Sequence, residues 1–144
     1  MKVMSILKKK GDRVVTVRPE ATLAAVVREL TAKAIGAVVV SEDGVTPLGL
    51  VSERDIVRAL GIYGGRTLDL HALDIMERRP VTCHPGDSVT RLMAEMTRYR
   101  VRHLPVVEDG RLRGIVSIGD AVKHRLDELE TEANVLREAF IARQ

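Results

Sequence analysis

The chain of 144 residues holds one cysteine, Cys83, no tryptophan, and only three other aromatic side chains, Tyr63, Tyr99 and Phe140. A single cysteine excludes an intramolecular disulfide and suits a reducing compartment. Few rings, and a net charge of only +3 from 23 Lys+Arg and 20 Asp+Glu, argue against nucleic acid, whose binders concentrate basic charge on one face and stack bases. No apolar run approaches the roughly 20 residues of a membrane span. At the start, a very short apolar stretch precedes Lys8, Lys9 and Lys10, the reverse order of a secretory signal, so the expected location is cytoplasmic, away from membrane.

Catalytic patterns are missing too. There is no Gly-rich phosphate loop, and His71, His84, His103 and His124 form no short ligand spacing with Cys83 or one another. Cys83 and His84 are neighbours that a strand would point to opposite faces. The expectation is a binding protein with no catalytic residues and no metal ligands.

What the chain has is a duplication. Val17-Arg18-Pro19-Glu20-Ala21-Thr22-Leu23 returns as Cys83-His84-Pro85-Gly86-Asp87-Ser88-Val89, and Gly49-Leu50-Val51-Ser52-Glu53-Arg54-Asp55 as Gly114-Ile115-Val116-Ser117-Ile118-Gly119-Asp120. The offset is 66 residues at Pro19 and 65 at Asp55, and the lost residue falls in the turns Glu42-Asp43-Gly44-Val45-Thr46-Pro47 and Glu108-Asp109-Gly110-Arg111-Leu112-Arg113. An indel confined to a turn is what an internal repeat predicts.

Each copy reads as strand, helix, strand, strand, helix. Val14 to Val17 is a β-branched run, Thr22 caps a helix with Leu23, Val26, Val27, Leu30 and Ala34 on one face, and Ile35–Val40 with Leu48–Val51 forms a buried hairpin. In the second copy Val81-Thr82-Cys83 is the first strand, Ser88 caps a helix, and Leu104–Val107 pairs with Leu112–Val116. The predicted division is repeat 1 over residues 1–61, a glycine-containing linker over 62–72, repeat 2 over 73–125 and a helical extension over 126–144. Leu73-Asp74-Ile75-Met76 echoes Met4-Ser5-Ile6-Leu7. Along the last helix Val122, Leu126, Leu129, Ala133, Leu136 and Phe140 are spaced 4, 3, 4, 3, 4, the seam of a helix that packs on another helix. Either its own domain or a second copy could cover that seam; a homodimer is the reading adopted.

In each Gly-x-x-Ser-x-x-Asp motif a strand delivers Ser to a helix N-cap and Asp to the third helical position. Alone, that is a capping box. Two copies at equivalent positions also place hydroxyls and free N–H groups where a phosphate binds, beside carboxylates that accept ribose hydroxyls. Arg100, Arg102 and His103 precede a buried strand at the rim of the same cleft, with guanidinium groups suited to phosphate. The first copy offers only Lys33 there, so the half-sites should differ in phosphate affinity.

These residues resemble the tandem CBS-domain pair, or Bateman module, over residues 3–125. The resemblance rests on the two motifs, the strand His103-Leu104-Pro105-Val106-Val107, the glycine-turn hairpins and Leu73-Asp74-Ile75-Met76, and is nearest to small stand-alone bacterial members. It implies an α/β (α+β) fold of two pseudo-symmetric β-α-β-β-α repeats, with clefts for AMP, ADP, ATP or NAD(H). By that resemblance Asp55 and Asp120 hold ribose, Ser52 and Ser117 approach ribose or phosphate, Arg54 and Arg100 meet phosphate, and the strand positions around Thr16, Ala37, Thr82 and His103 receive adenine. The expected function is a non-enzymatic adenine-nucleotide sensor acting on an unidentified protein partner in trans. The alternative is an assembly module with vestigial clefts.

Overall fold

The computed structural model describes residues 1–11 and 13–143. In chain order it contains α1 (Val3–Lys10), β1 (Thr16–Val17), α2 (Leu23–Lys33), β2 (Ala37–Val40), β3 (Gly49–Ser52), α3 (Glu53–Tyr63), a short 3-10 helix (Gly64–Asp69), α4 (Ala72–Ile75), β4 (Glu77–Arg78), α5 (Val89–Tyr99), β5 (His103–Glu108), β6 (Arg111–Ser117) and α6 (Ile118–Ala142). One sheet has the order β1-β2-β3-β4, and β5 and β6 form a second. The fold is the mixed α/β pair of repeats expected. Among the described residues no helix is long and apolar enough to cross a membrane.

Local chemistry starts the corresponding helices alike. Thr22 Oγ1 accepts the Ala25 N–H at 3.2 Å and Ser88 Oγ accepts the Arg91 N–H at 3.1 Å; such caps satisfy donors that the first helical turn leaves free. Both helices end on a left-handed residue, Ala34 with φ 51° and Arg100 with φ 54°. In β2 both faces are covered: Val38 and Val40 pack towards Leu23, Val26 and Val51, while Ala37 and Val39 meet Leu50, Leu112 and Ile115. That double burial is why Ile35–Val40 reads as a continuous apolar run.

One expectation needs correction. Val81-Thr82-Cys83 is not a strand: only Cys83 bridges to Val106, through Cys83 N–H to Pro105 O at 3.0 Å and Val107 N–H to Cys83 O at 2.8 Å. Pro80 has no N–H for a ladder, and the turn closed by His84 N–H on Asp87 Oδ2 bends the chain away, leaving one rung. The predicted linker over 62–72 carries local structure of its own. Gly61 to Tyr63 continue α3, and buried Thr67 sets its hydroxyl 3.1 Å from Ala59 O and 2.7 Å from Gly64 O.

The two cores exchange helices. Val3, Ile6 and Leu7 of α1 pack with Val89, Leu92, Met96 and Leu104 of the second copy, whereas Ala72, Ile75 and Met76 complete the first copy's core around Leu23, Val26 and Val51. The backbone repeats the exchange: Val3 N–H donates to Asp87 O at 2.8 Å and Met4 N–H to Pro85 O at 3.0 Å, just as Ala72 N–H donates to Ala21 O and Leu73 N–H to Pro19 O at the same distances. The motif glycines make room for it. A Cβ on Gly114 would lie 2.5 Å from Leu7 Cδ2, and one on Gly49 would lie 2.6 Å from Met76 Sδ and 2.8 Å from Glu77 O.

Gly49→Ala should therefore destabilise the chain by about 1–3 kcal/mol, the usual range for overpacking, because it meets a backbone carbonyl. Gly114→Ala should cost less, since the end of Leu7 can rotate away. Urea unfolding of both variants checks this; equal midpoints would contradict it.

Candidate functional site

A cleft of about 1060 Å³ opens where the first turn of α3 faces the end of α5 and the start of β5. Its walls bring together six of the residues singled out in the sequence: Ser52, Arg54 and Asp55 from the first copy with Arg100, Arg102 and His103 from the second. Glu53, Arg58, Glu77 and Tyr99 line it as well, and the sequence reading missed them. Arg58 was within reach of pattern reasoning, since it lies one helical turn after Arg54 on the same face. Glu77 had no such signal, because it arrives on the two-residue strand β4.

Ser52 and Asp55 form a reciprocal cap. Asp55 Oδ2 accepts the Ser52 N–H at 2.8 Å and the Ser52 hydroxyl at 3.0 Å, while Ser52 Oγ accepts the Asp55 N–H at 3.4 Å. Glu53 N–H is also taken, by Gly36 O at 3.0 Å. The helix N-terminus is thus largely satisfied within the chain, which leaves the arginines as the groups lining this cleft that are able to take an anion. One carboxylate oxygen of Asp55, Oδ1, makes none of these bonds.

Arg54 has a structural task as well. Its Nη1 donates to Arg100 O at 3.1 Å, tying α3 of one repeat to the left-handed residue that ends α5 of the other. Burial first, and the Asp55 carboxylate second, push the Glu77 carboxyl above its ordinary value, with Arg58 opposing. Half-buried His103 is held below the ordinary histidine value, chiefly by burial and next by the Lys10 ammonium; Glu53 and Asp120 pull the other way and Arg102 adds to the lowering. A neutral imidazole offers one donor and one acceptor to a ligand.

The equivalent second constellation is built differently. Ser117 and Asp120 cap α6 in the same way, with Ser117 N–H on Asp120 Oδ2 at 2.9 Å. But Lys10 of α1 reaches that same oxygen at 2.6 Å and also donates to Ile115 O at 2.9 Å. Burial pushes the Asp120 carboxyl up, yet Lys10 and the Ser117 N–H outweigh it and leave it below the usual carboxylate range. By position along α2 and α5, the counterparts of Arg100, Arg102 and His103 are Ala34, Gly36 and Ala37, none of them basic.

The remaining residues lie apart. Thr16 and Lys33 line a separate cavity of about 720 Å³ with Arg13, Arg18 and Arg28, and Lys33 pairs with Glu29 at 2.9 Å. Ala37 is buried between the sheets and Thr82 is exposed before α5. Cys83 is buried and its thiol pushed up to about 12, by burial first and Asp87 second, which makes it a poor nucleophile.

A family model described as "CBS domain" matches residues 4–62 and 72–127. The crystal structure of a CBS-domain containing protein, ATU1752 from Agrobacterium tumefaciens, is 42% identical with a TM-score of 0.83, over 87% of this chain and 99% of that one. The CBS domain protein PAE2072 from Pyrobaculum aerophilum, complexed with AMP, is 31% identical with a TM-score of 0.73, over 83% and 89% of the two chains. Among curated proteins, the mitochondrial CBS domain-containing protein CBSX3 of Arabidopsis thaliana is 37% identical over 101 residues, which is 67% of this chain and 49% of that protein. The chain spans about half the length of the curated relatives it matches first.

The lowered His103 value has a direct consequence for stability. The folded chain takes up that proton less readily than the unfolded chain, so stability is lost as pH falls below about 6.5, the ordinary histidine value, towards the lowered one. Thermal unfolding at pH 7.5 and 5.5 should show a larger drop for the parent chain than for His103→Gln, and equal drops would contradict the assignment.

Proposed function

The chain belongs to the CBS-domain family, and on that basis we propose that it is a non-enzymatic regulatory module that binds an adenine nucleotide in the Ser52–Asp55 and Arg100–His103 cleft. It then acts as a homodimer on a protein partner in trans. The candidate ligands are AMP, ADP, ATP and NAD(H). The observation that carries this reading is the meeting, in one cleft, of a carboxylate with a free oxygen and a cluster of arginines from the other repeat.

Each group has a role in that reading. Asp55 Oδ1 accepts the ribose hydroxyls, while Ser52, engaged in the cap, fixes the carboxylate's direction. Arg100 and Arg102 meet the phosphate, with Arg58 at the far wall. His103, neutral at pH 7, offers a flat hydrogen-bonding edge to adenine. Support comes from the Pyrobaculum aerophilum relative, which is complexed with AMP and 31% identical, and from a cleft volume of about 1060 Å³, at the upper end of the range typical of small-molecule sites. Binding that favours one angle between the repeats would shift a surface read by a partner.

The second cleft contributes little in this account. Its carboxylate is already paired with Lys10 and it has no guanidinium equivalent to Arg100, so one nucleotide per chain is expected.

Calorimetric titration with AMP and adenosine tests the reading. Asp55→Ala should remove binding of both. Arg100→Ala should weaken AMP by roughly 10–100-fold, the worth of a charge-assisted hydrogen bond of about 1.5–3 kcal/mol, and leave adenosine nearly unchanged. Asp120→Ala should leave both affinities within about twofold, because each 1.4 kcal/mol is tenfold and no ligand contact is lost. Loss of AMP binding in Asp120→Ala would move the nucleotide to the Ser117–Asp120 constellation, and no binding by the folded parent chain would favour the assembly module with vestigial clefts.

A further inference from the structure

After Glu128, α6 leaves the body of its own chain: every residue from Leu129 to Arg143 is exposed. Val122, Leu126, Leu129, Leu136 and Phe140 of the apolar seam are 42, 61, 44, 71 and 65% exposed. An amphipathic helix of this kind draws its stability from covering that stripe. At the inner end of the seam, Ile118, Gly119, Val122 and Leu126 line an apolar groove of about 400 Å³.

We propose that the α6 helices of two copies of this chain pair antiparallel, each seating its Phe140 end in the other's groove. This goes beyond the homodimer above, since it assigns the direction and register of the seam, and it does not depend on nucleotide binding. The seam is symmetric about residue 131: placing Val122 against Phe140 of the partner subunit puts Leu126 against Leu136 of the partner subunit and Leu129 against Ala133 of the partner subunit. No seam position is left over.

The flanking charges agree with this register. Positions beside an antiparallel seam meet their own kind across the two-fold axis. On one side Arg125 faces Glu132 of the partner subunit, and on the other Glu130 faces Arg137 of the partner subunit; symmetry doubles both pairs. Self-complementary charge of this sort favours a second copy over an unrelated partner. In the single chain Arg125 pairs with Glu128 at 3.3 Å, so its guanidinium must change rotamer to cross the interface. A parallel in-register pair would match the same charges, but it sets Val122 against Val122 of the partner subunit and leaves the groove without a large side chain to fill it. The antiparallel pair fills both grooves with rings and opposes the helix dipoles.

The test is cysteine cross-linking of the full chain without nucleotide. Leu129→Cys and Ala133→Cys are oxidised separately and as a mixture; both sites are exposed, so the fold is not threatened, and buried Cys83 stays silent. The antiparallel register brings position 129 near position 133 of the other copy, within disulfide reach, so the mixture should give a covalent dimer and each variant alone should not. Each variant linking to itself as well as in the mixture, or no linking in any combination, overturns the proposal. Sedimentation adds a second arm: Glu132→Arg should shift the chain towards monomer and Arg125→Glu with Glu132→Arg should restore the dimer. Unchanged sedimentation in Glu132→Arg would assign the dimer, if there is one, to another surface.

Discussion

Leu7 lies over Gly114 and Met76 over Gly49, and this reciprocal packing is the constraint on which the rest of the molecule depends. Each repeat lacks part of its core until the segment preceding the other repeat arrives. A 144-residue chain buries enough surface to fold as one unit, and here the exchange of α1 and α4 makes the two repeats one unit. It also fixes their relative position, since Val3 and Met4 are hydrogen-bonded to one copy and Ala72 and Leu73 to the other. Without that fixed relation Arg54 would not reach Arg100 O, and the arginines of one repeat would not face the carboxylate of the other.

Duplication supplies the same backbone twice, and the side chains then separate the two constellations. Ser52–Asp55 and Ser117–Asp120 are near-identical caps. Around the first stand Arg58, Arg100 and Arg102; around the second, the α1 lysine takes the carboxylate. The Coulomb partner that a ligand would have to displace is therefore present in one half of the pair and not in the other. A buried or half-buried carboxylate needs such a partner, and the chain provides it internally where no arginine cluster does so.

Local chemistry made most of the fold legible in the sequence. The Thr22 and Ser88 caps, the two Ser-x-x-Asp boxes, the Glu-Asp-Gly turns and the seam of α6 are each decided within a few residues. What depended on distant partners was not legible. The likeness of Met4-Ser5-Ile6-Leu7 to Leu73-Asp74-Ile75-Met76 was visible, but nothing local says that each segment crosses to the other copy. Lys10 meets Asp120 across 110 residues of chain, and Glu77 enters the cleft on a strand too short and too polar to be read as one. Val81-Thr82-Cys83 was misread in the opposite sense: its β-branched composition is right, but Pro80 and the His84–Asp87 turn leave it a single rung. The motif serines carry two readings in the sequence, helix cap and ligand group, and the caps are formed at both.

The most direct test of the central claim is amide hydrogen exchange on the full-length chain with and without AMP. Binding in the first cleft predicts added protection over the first turn of α3, residues 53–58, and from the end of α5 into β5, residues 99–104, with the start of α6 at 118–121 unchanged. Equal protection at both helix starts would contradict the asymmetry of the two clefts, and no protection at either, with AMP in excess, would contradict nucleotide binding itself.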